Sequence, residues 1–415
     1  MRRMPQFASA AAMALALTGA AVTGVALTSA PAAAQKAQAP KYSKEFVKVY
    51  KPLADIVNAE GGDYASIKPQ LPALMAVLAN DDDRNAAGNL VLILGNKLSE
   101  PALQRQGLEL MLASNKVPAE RVGQFNFFVG NLAFAAKDYP AARKALEAAA
   151  AAGYSENSPE AMIAESYFAE DQTQQGLDYL EGAIGKYKAA GKPVPDAWAL
   201  RGLKMAYEAD LAPAATRWAT LLVGQNPTQK TWTQGLQVVG AVNAFEPQVQ
   251  LDLLRLMLDT GALTTRSEYA LYAETADPRI MAGEVKRVLE AGLAAGVFTA
   301  TDDYYKEVKR VADGRVASQA AEAAQYAKEG RAGKGNSAQN AGDVFLSMGD
   351  WAQAEEMYKL ALEKGVTDRN VALTRLGIVQ ARQGKGEDAK ASFGQVTGVR
   401  KPVAEVWTAY VTSKS

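Results

Sequence analysis

Along most of the chain, apolar and small residues return every three or four positions, the period of one face of an α-helix. The stretch MGDWAQAEEMYKLALEKG, residues 348–365, is the plainest case. Trp351, Ala354, Tyr358, Ala361 and Leu362 share one helix face, Asp350 stands at the N-cap position, and Gly365 stands where a left-handed stop belongs. The pattern recurs in KDYPAARKALEAAAAAG, residues 137–153. There Asp138 matches Asp350, Tyr139 matches Trp351, Ala142 matches Ala354, Leu146 matches Tyr358 and Gly153 matches Gly365. A glycine lies eight residues before each aspartate, Gly130 in one copy and Gly342 in the other, so the shared unit spans two helices.

Further copies follow at near-constant steps. A step of 34 from Gly130, Ala142 and Leu146 reaches Ala164, Gly176 and Leu180. A step of 38 then reaches Gly202, Ala214 and Trp218, with the extra residues in the Gly/Pro-marked stretch 185–198. From Gly342, Ala354 and Tyr358 a step of 35 reaches Gly377, Ala389 and Phe393. Small residues recur where two helices must approach, and large ones where a space must be filled.

This helix–turn–helix unit of 34 residues resembles the tetratricopeptide repeat over residues 123–226 and 335–400. The resemblance implies an all-α fold, a right-handed α-α superhelix or solenoid of antiparallel helix pairs whose first helices line a concave face. Residues 35–122 read as an N-terminal helical region with degenerate repeats, 227–334 as diverged helical pairs, and 401–415 as a terminal segment.

In this register the groove-facing positions are Gln124, Phe127, Asn131 and Phe134, then Ser158, Ala161, Glu165 and Phe168, then Asn336, Gln339, Asp343 and Leu346. Phe127, Asn131 and Phe134 would make an aromatic-walled cleft with an amide for a peptide backbone. The alternative is that both phenylalanines pack on a neighbouring helix. Trp351, Ala354 and Tyr358 are assigned to packing. Tetratricopeptide domains that grip chaperone tails use a clamp of lysines and asparagines; only Asn131 matches that clamp, so the resemblance disfavours this ligand.

Composition narrows the chemistry. The 415 residues include no histidine and no cysteine, which removes the commonest general base, thiolate chemistry and the preferred transition-metal ligands. No catalytic residue, cofactor or metal is implied. The glycine-rich GRAGKGNS, 330–337, lacks phosphate-loop spacing and reads as a mobile loop between helices. The triplet Asp81–Asp83 lacks the order of a calcium loop and reads as a solvated helix start.

Residues 1–34 have a basic start (Arg2, Arg3), a long Ala/Leu/Val run and an Ala-x-Ala end before Gln35, the layout of a Sec-type signal peptide. Its removal leaves 43 basic against 45 acidic side chains, a balance that supports neither nucleic-acid binding nor docking to an anionic membrane. No later stretch is long and apolar enough to span a bilayer. The expectation is an exported, periplasmic, non-enzymatic scaffold or adaptor with a protein or peptide partner. The helix order also resembles that of bacterial periplasmic tetratricopeptide proteins, some associated with TonB-type energising systems, which implies an envelope or transport assembly. Binding of glycan or peptidoglycan is the alternative, and a carboxylate-only hydrolase comes third.

Overall fold

A computed structural model describes residues 39–414, so the expected signal peptide lies outside the described residues. Those residues form twenty α-helices and two short 3₁₀ turns, with no strand among them. They divide into two compact units, one ending at Ala190 and the other beginning at Gly191. Each is a stack of antiparallel helix pairs joined by short connections, a solenoid of the tetratricopeptide-like kind.

The first unit holds α1 (Lys44–Asn58), α2 (Leu71–Ala76), α3 (Asp81–Leu98), α4 (Pro101–Ala113), α5 (Ala119–Ala135), α6 (Tyr139–Ala151), α7 (Pro159–Phe168) and α8 (Thr173–Ala189). On α1, Phe46, Leu53 and Val57 fall on one face and pack with Ile67, Leu74, Leu90 and Leu94. The aspartate triplet that opens α3 does more than face solvent. Asp83 is fully buried, accepts the Ser43 and Ala79 amides at 3.0 and 3.1 Å, and so anchors the segment leading into α1. Asp82 takes the Lys41 amide at 2.8 Å and pairs with Lys116 at 3.0 Å.

The second unit holds α9 (Asp196–Glu208), α10 (Ala212–Gln225), α11 (Gln229–Asn243), α12 (Pro247–Asp259), α13 (Arg266–Ala276), α14 (Ala282–Ala294), α15 (Asp303–Ala332), α16 (Gly335–Met348), α17 (Trp351–Glu363), α18 (Arg369–Arg382), α19 (Gly386–Phe393) and α20 (Lys401–Lys414). The stretch expected as a mobile loop at 330–337 is instead a two-residue break between α15 and α16. A Cβ on Gly335 would meet the Val366 nitrogen at 2.4 Å, and Lys364 Nζ donates to the Gly333 carbonyl at 2.9 Å. Close backbone approach, not flexibility, is what these glycines provide. Asp350 caps α17 by accepting the Gln353 amide at 3.1 Å, and Gly365 ends it at φ +70°.

The repeat positions pack against one another within each pair. A Cβ added to Gly130 would meet Leu146 at 2.6 Å, to Gly202 Trp218 at 2.2 Å, to Gly342 Tyr358 at 2.8 Å, and to Gly377 Phe393 at 2.4 Å. The large residue of the second helix thus sits on the missing side chain of the first. Tyr358 therefore fills space within its own pair, while Ala142, Ala164, Ala354 and Ala389 are buried beside these contacts. Gly176 plays the converse role, with Phe168 of the preceding helix 2.3 Å from its would-be Cβ.

In the second unit α12 and α18 run through the interior. Residues Leu251 to Met257 are all buried, as are Ala372 to Gln380. A helix buried all round belongs to the middle of a fold. The terminal segment 401–415 is not a tail, because α20 within it packs on α10 and α12. Trp407 of α20 donates its indole N–H to the Asp252 carbonyl at 2.9 Å, and Tyr410 meets Trp232 edge-on at 6.0 Å.

Candidate functional site

The expected groove residues of the first unit do not assemble an open cleft. Phe127 is 2% exposed and packs with Leu146, Ala149 and Ile163, its ring 5.1 Å from that of Tyr154. Asn131 and Phe168 are also buried. Phe134 is half-buried against Tyr139, with ring centroids 5.4 Å apart, and Gln124 and Glu165 are half-buried. The α5 face that the register turned outward is therefore the face that α6 and α7 cover. In the late repeat, Asn336 bridges to Thr367, Leu346 is buried, and Gln339 is half-buried with its Oε1 unpartnered.

Of the twelve groove positions, Asp343 lines a cleft of about 310 Å³ inside the second unit. It is contributed by the first helix of the late repeat, as the register requires. Asn340 lies three residues before it on α16, Gln248 comes from α12, Thr275 from α13, and Arg375 from α18. The turn between α13 and α14 supplies Asp277 and Ile280. Ile280 is 62% exposed at this rim, although its carbonyl is tied to Gln319 of α15. Asp277 has φ +58° and ψ 112°, outside the usual left-handed well and costly for a residue with a Cβ. It is held there by hydrogen bonds from the Ile280 and Met281 amides to its carbonyl, at 2.9 and 2.8 Å, and by Arg279 on its carboxylate.

Behind the cleft lies a buried charge network. Arg255 makes a fork to Glu284 at 2.7 and 2.8 Å and also bonds Asp252. Asp252 further pairs with Arg400 and stands 3.6 Å from Arg375 Nε, a buried donor with no hydrogen-bond partner. Arg375 pairs through Nη1 with Asp343 and donates Nη2 to Gln248, each at 2.7 Å, and Arg382 forks to Asp259 at 2.9 and 3.1 Å. Tyr272 donates to Glu284 at 2.7 Å and Tyr358 to Asp343 at 2.6 Å.

Burial alone would raise the Glu284 carboxyl, but Arg255 overrides it and holds the group at about 2. Asp252 has the same conflict, resolved downward by Arg375, Arg255 and Arg400. Burial, reinforced by Asp343, pushes the Tyr358 hydroxyl well up. Every carboxylate with a displaced pKa among the described residues is displaced downward. No cluster of acidic residues among them is placed to hold a metal.

No family model matches the sequence, and no curated protein matches it. Among solved structures, a chain of the complex described as "Structure of Naa15/Naa10 bound to HypK-THB" is similar at 13% identity and a TM-score of 0.25. The match covers 87% of this chain and 63% of that one. At that score the likeness adds nothing to the helix-pair architecture read from the packing. Among the described residues, no helix is long and apolar enough to cross a membrane.

Asp343 was legible from the repeat. Its companions were not: Asp277 and Ile280 lie in a turn outside the repeat register, and Arg375 sits at position 6 of the next repeat, in the middle of an apolar run. The only sequence signal for them was an arginine interrupting that run, in LTRLGIV.

Proposed function

We propose that this protein is an exported, non-enzymatic scaffold that binds a protein or peptide partner in the cleft between α13 and α16 of its second unit. The observation that carries the reading is Asp343. It sits at the groove position of its repeat, is held by a hydrogen bond from Tyr358 and an ion pair with Arg375, and has a solvent-reachable cleft with an exposed apolar rim beside it. The remaining repeat positions are used in packing, which is how a solenoid provides a rigid frame. The downward displacement of the carboxylates supports a non-catalytic role, since a carboxyl that protonates a leaving group needs a raised pKa. Burial of Phe127 leaves only Phe134 of that aromatic pair partly exposed, which weighs against glycan binding.

The signal layout of residues 1–34 supports export to the periplasm, where an envelope or transport assembly is the natural setting for such a frame. A photo-crosslinking amino acid at Ile280, in cells, is expected to capture one protein reproducibly. The same probe at Val399, equally apolar and 74% exposed, is expected to capture none. No product at Ile280, or the same products at both positions, sinks the binding reading. A chain that keeps residues 1–34 and stays in the cytosolic fraction sinks export.

A further inference from the structure

We infer that the cleft takes a lysine or arginine side chain of an extended partner segment, with a neighbouring apolar side chain lying on Ile280. This deepens the partner-binding reading and rests on it. The cleft has three charged residues in its wall, Asp277, Asp343 and Arg375. Their side chains are 22%, 19% and 4% exposed. Solvent therefore meets the two carboxylates, while the guanidinium is turned inward to Asp343, Gln248 and Asp252.

An anionic ligand approaching Arg375 would first meet both carboxylates, and like charges at that range are penalised. A cationic ligand finds an acceptor already oriented. Asp343 accepts the Tyr358 hydroxyl on Oδ1 at 2.6 Å and pairs there with the Arg375 guanidinium at 2.7 Å. Because these two partners already hold the carboxylate, an incoming cation gains a charge-assisted bond without ordering the acceptor. Across the cleft, Asp277 is kept in a strained backbone conformation that a glycine would adopt freely. Arg279, which now covers Asp277, is 78% exposed and is readily exchanged for a partner's cation.

The apolar part of the ligand is set by Ile280, which stands 62% exposed at the rim beside the acidic wall. The cleft volume of about 310 Å³ stands at the small end of ligand pockets, enough for a side chain and its backbone but not for a helix. Asn340 and Gln248 supply amides suited to that backbone.

The test is fluorescence anisotropy of the full mature chain with an end-labelled short peptide in which isoleucine and lysine stand two residues apart, separated by glycine, so that both face one side of an extended chain. A counterpart carries glutamate for lysine, and another carries alanine for isoleucine. The lysine peptide is expected to bind, the glutamate peptide to bind at least about tenfold more weakly, and the alanine peptide to fall between them. Asp277→Gly and Ile280→Ser are each expected to weaken the lysine peptide by about fivefold, with thermal melts at or above the parent's for the first and unchanged for the second. Asp343 is left intact because its loss would strand Arg375. Equal or tighter binding of the glutamate peptide, indifference to both variants, or no binding of the lysine peptide below about 1 mM overturns the inference. Capture of a partner through Ile280 without lysine-peptide binding overturns the charge assignment alone. Absence of both overturns the partner-binding reading itself.

Discussion

In the first unit, α3 and α4 come together through glycine: a Cβ on Gly107 would stand 2.5 Å from the Leu92 nitrogen, and one on Gly88 2.7 Å from the Gly107 carbonyl oxygen. In the second, α12 and α18 stay farther apart and are joined by long charged side chains, Arg375 to Gln248 and Arg382 to Asp259. The first arrangement links neighbours in sequence, as solenoid repeats do. The second links residues 123 to 155 positions apart, including Arg400 and Trp407 to Asp252. Close packing needs only the right small residue. A buried charge needs every partner in place, so the second unit trades tolerance for a single defined arrangement.

The sharpest way to break the contrast is Glu284→Ala, which strands the buried Arg255 and is expected to destabilise the second unit by about 3–5 kcal/mol in a denaturant titration. A small effect would mean that the network is not tightly coupled. Acid addresses the same carboxylate. Its folded pKa of about 2 lies below the ordinary 4.5, so its contribution is complete above 4.5 and disappears as the pH falls towards 2. Melting of the second unit should therefore weaken progressively across that window, and a Glu284→Gln variant should show a shallower acid slope.

Gly107→Val tests the other strategy. It places a branched side chain against backbone that cannot move aside, and about 2–3 kcal/mol of overpacking is expected. Tyr358→Phe removes one donor from the Asp343 carboxylate and should cost about 1–2 kcal/mol, and Trp407→Phe should cost a comparable amount through the lost indole hydrogen bond. Lys51→Ala, whose pair with Asp55 is two-thirds exposed or more on both sides, should leave the melting curve unchanged. Amide exchange sharpens the comparison further: α12 and α18 should exchange only through unfolding of the whole second unit, whereas the outer pairs of the first unit should open separately.

Local rules carried the helices. Period, caps and small/large order placed α5 to α10 and α16 to α19, because each depends on residues within one or two turns or one connection. The same rules left Phe127 open between cleft and packing, and they turned Phe168 towards the groove although it is buried. A register assigns a face to a helix, but whether that face is open depends on how tightly the next helix is drawn in, and Gly176 draws α8 onto Phe168. Trp351 packs as expected, half-buried against the core and between Arg287 and Arg382, with the guanidinium carbons 5.5 and 4.9 Å from its ring centre.

What the sequence determined by itself was the repeating helix pair, its stops and starts, and the place of Asp343 on an inner face. These follow from side-chain volume and backbone preference, which act over short spans of chain. Tertiary structure decided the rest: that Asp252 gathers three arginines from three helices and turns, that α20 closes onto α10, and that Asp277, Ile280 and Arg375 meet Asp343 around one cleft. Coulombic pairing has no period along the chain, so the partners of a buried charge become visible only once folding has brought them within a few ångströms of each other.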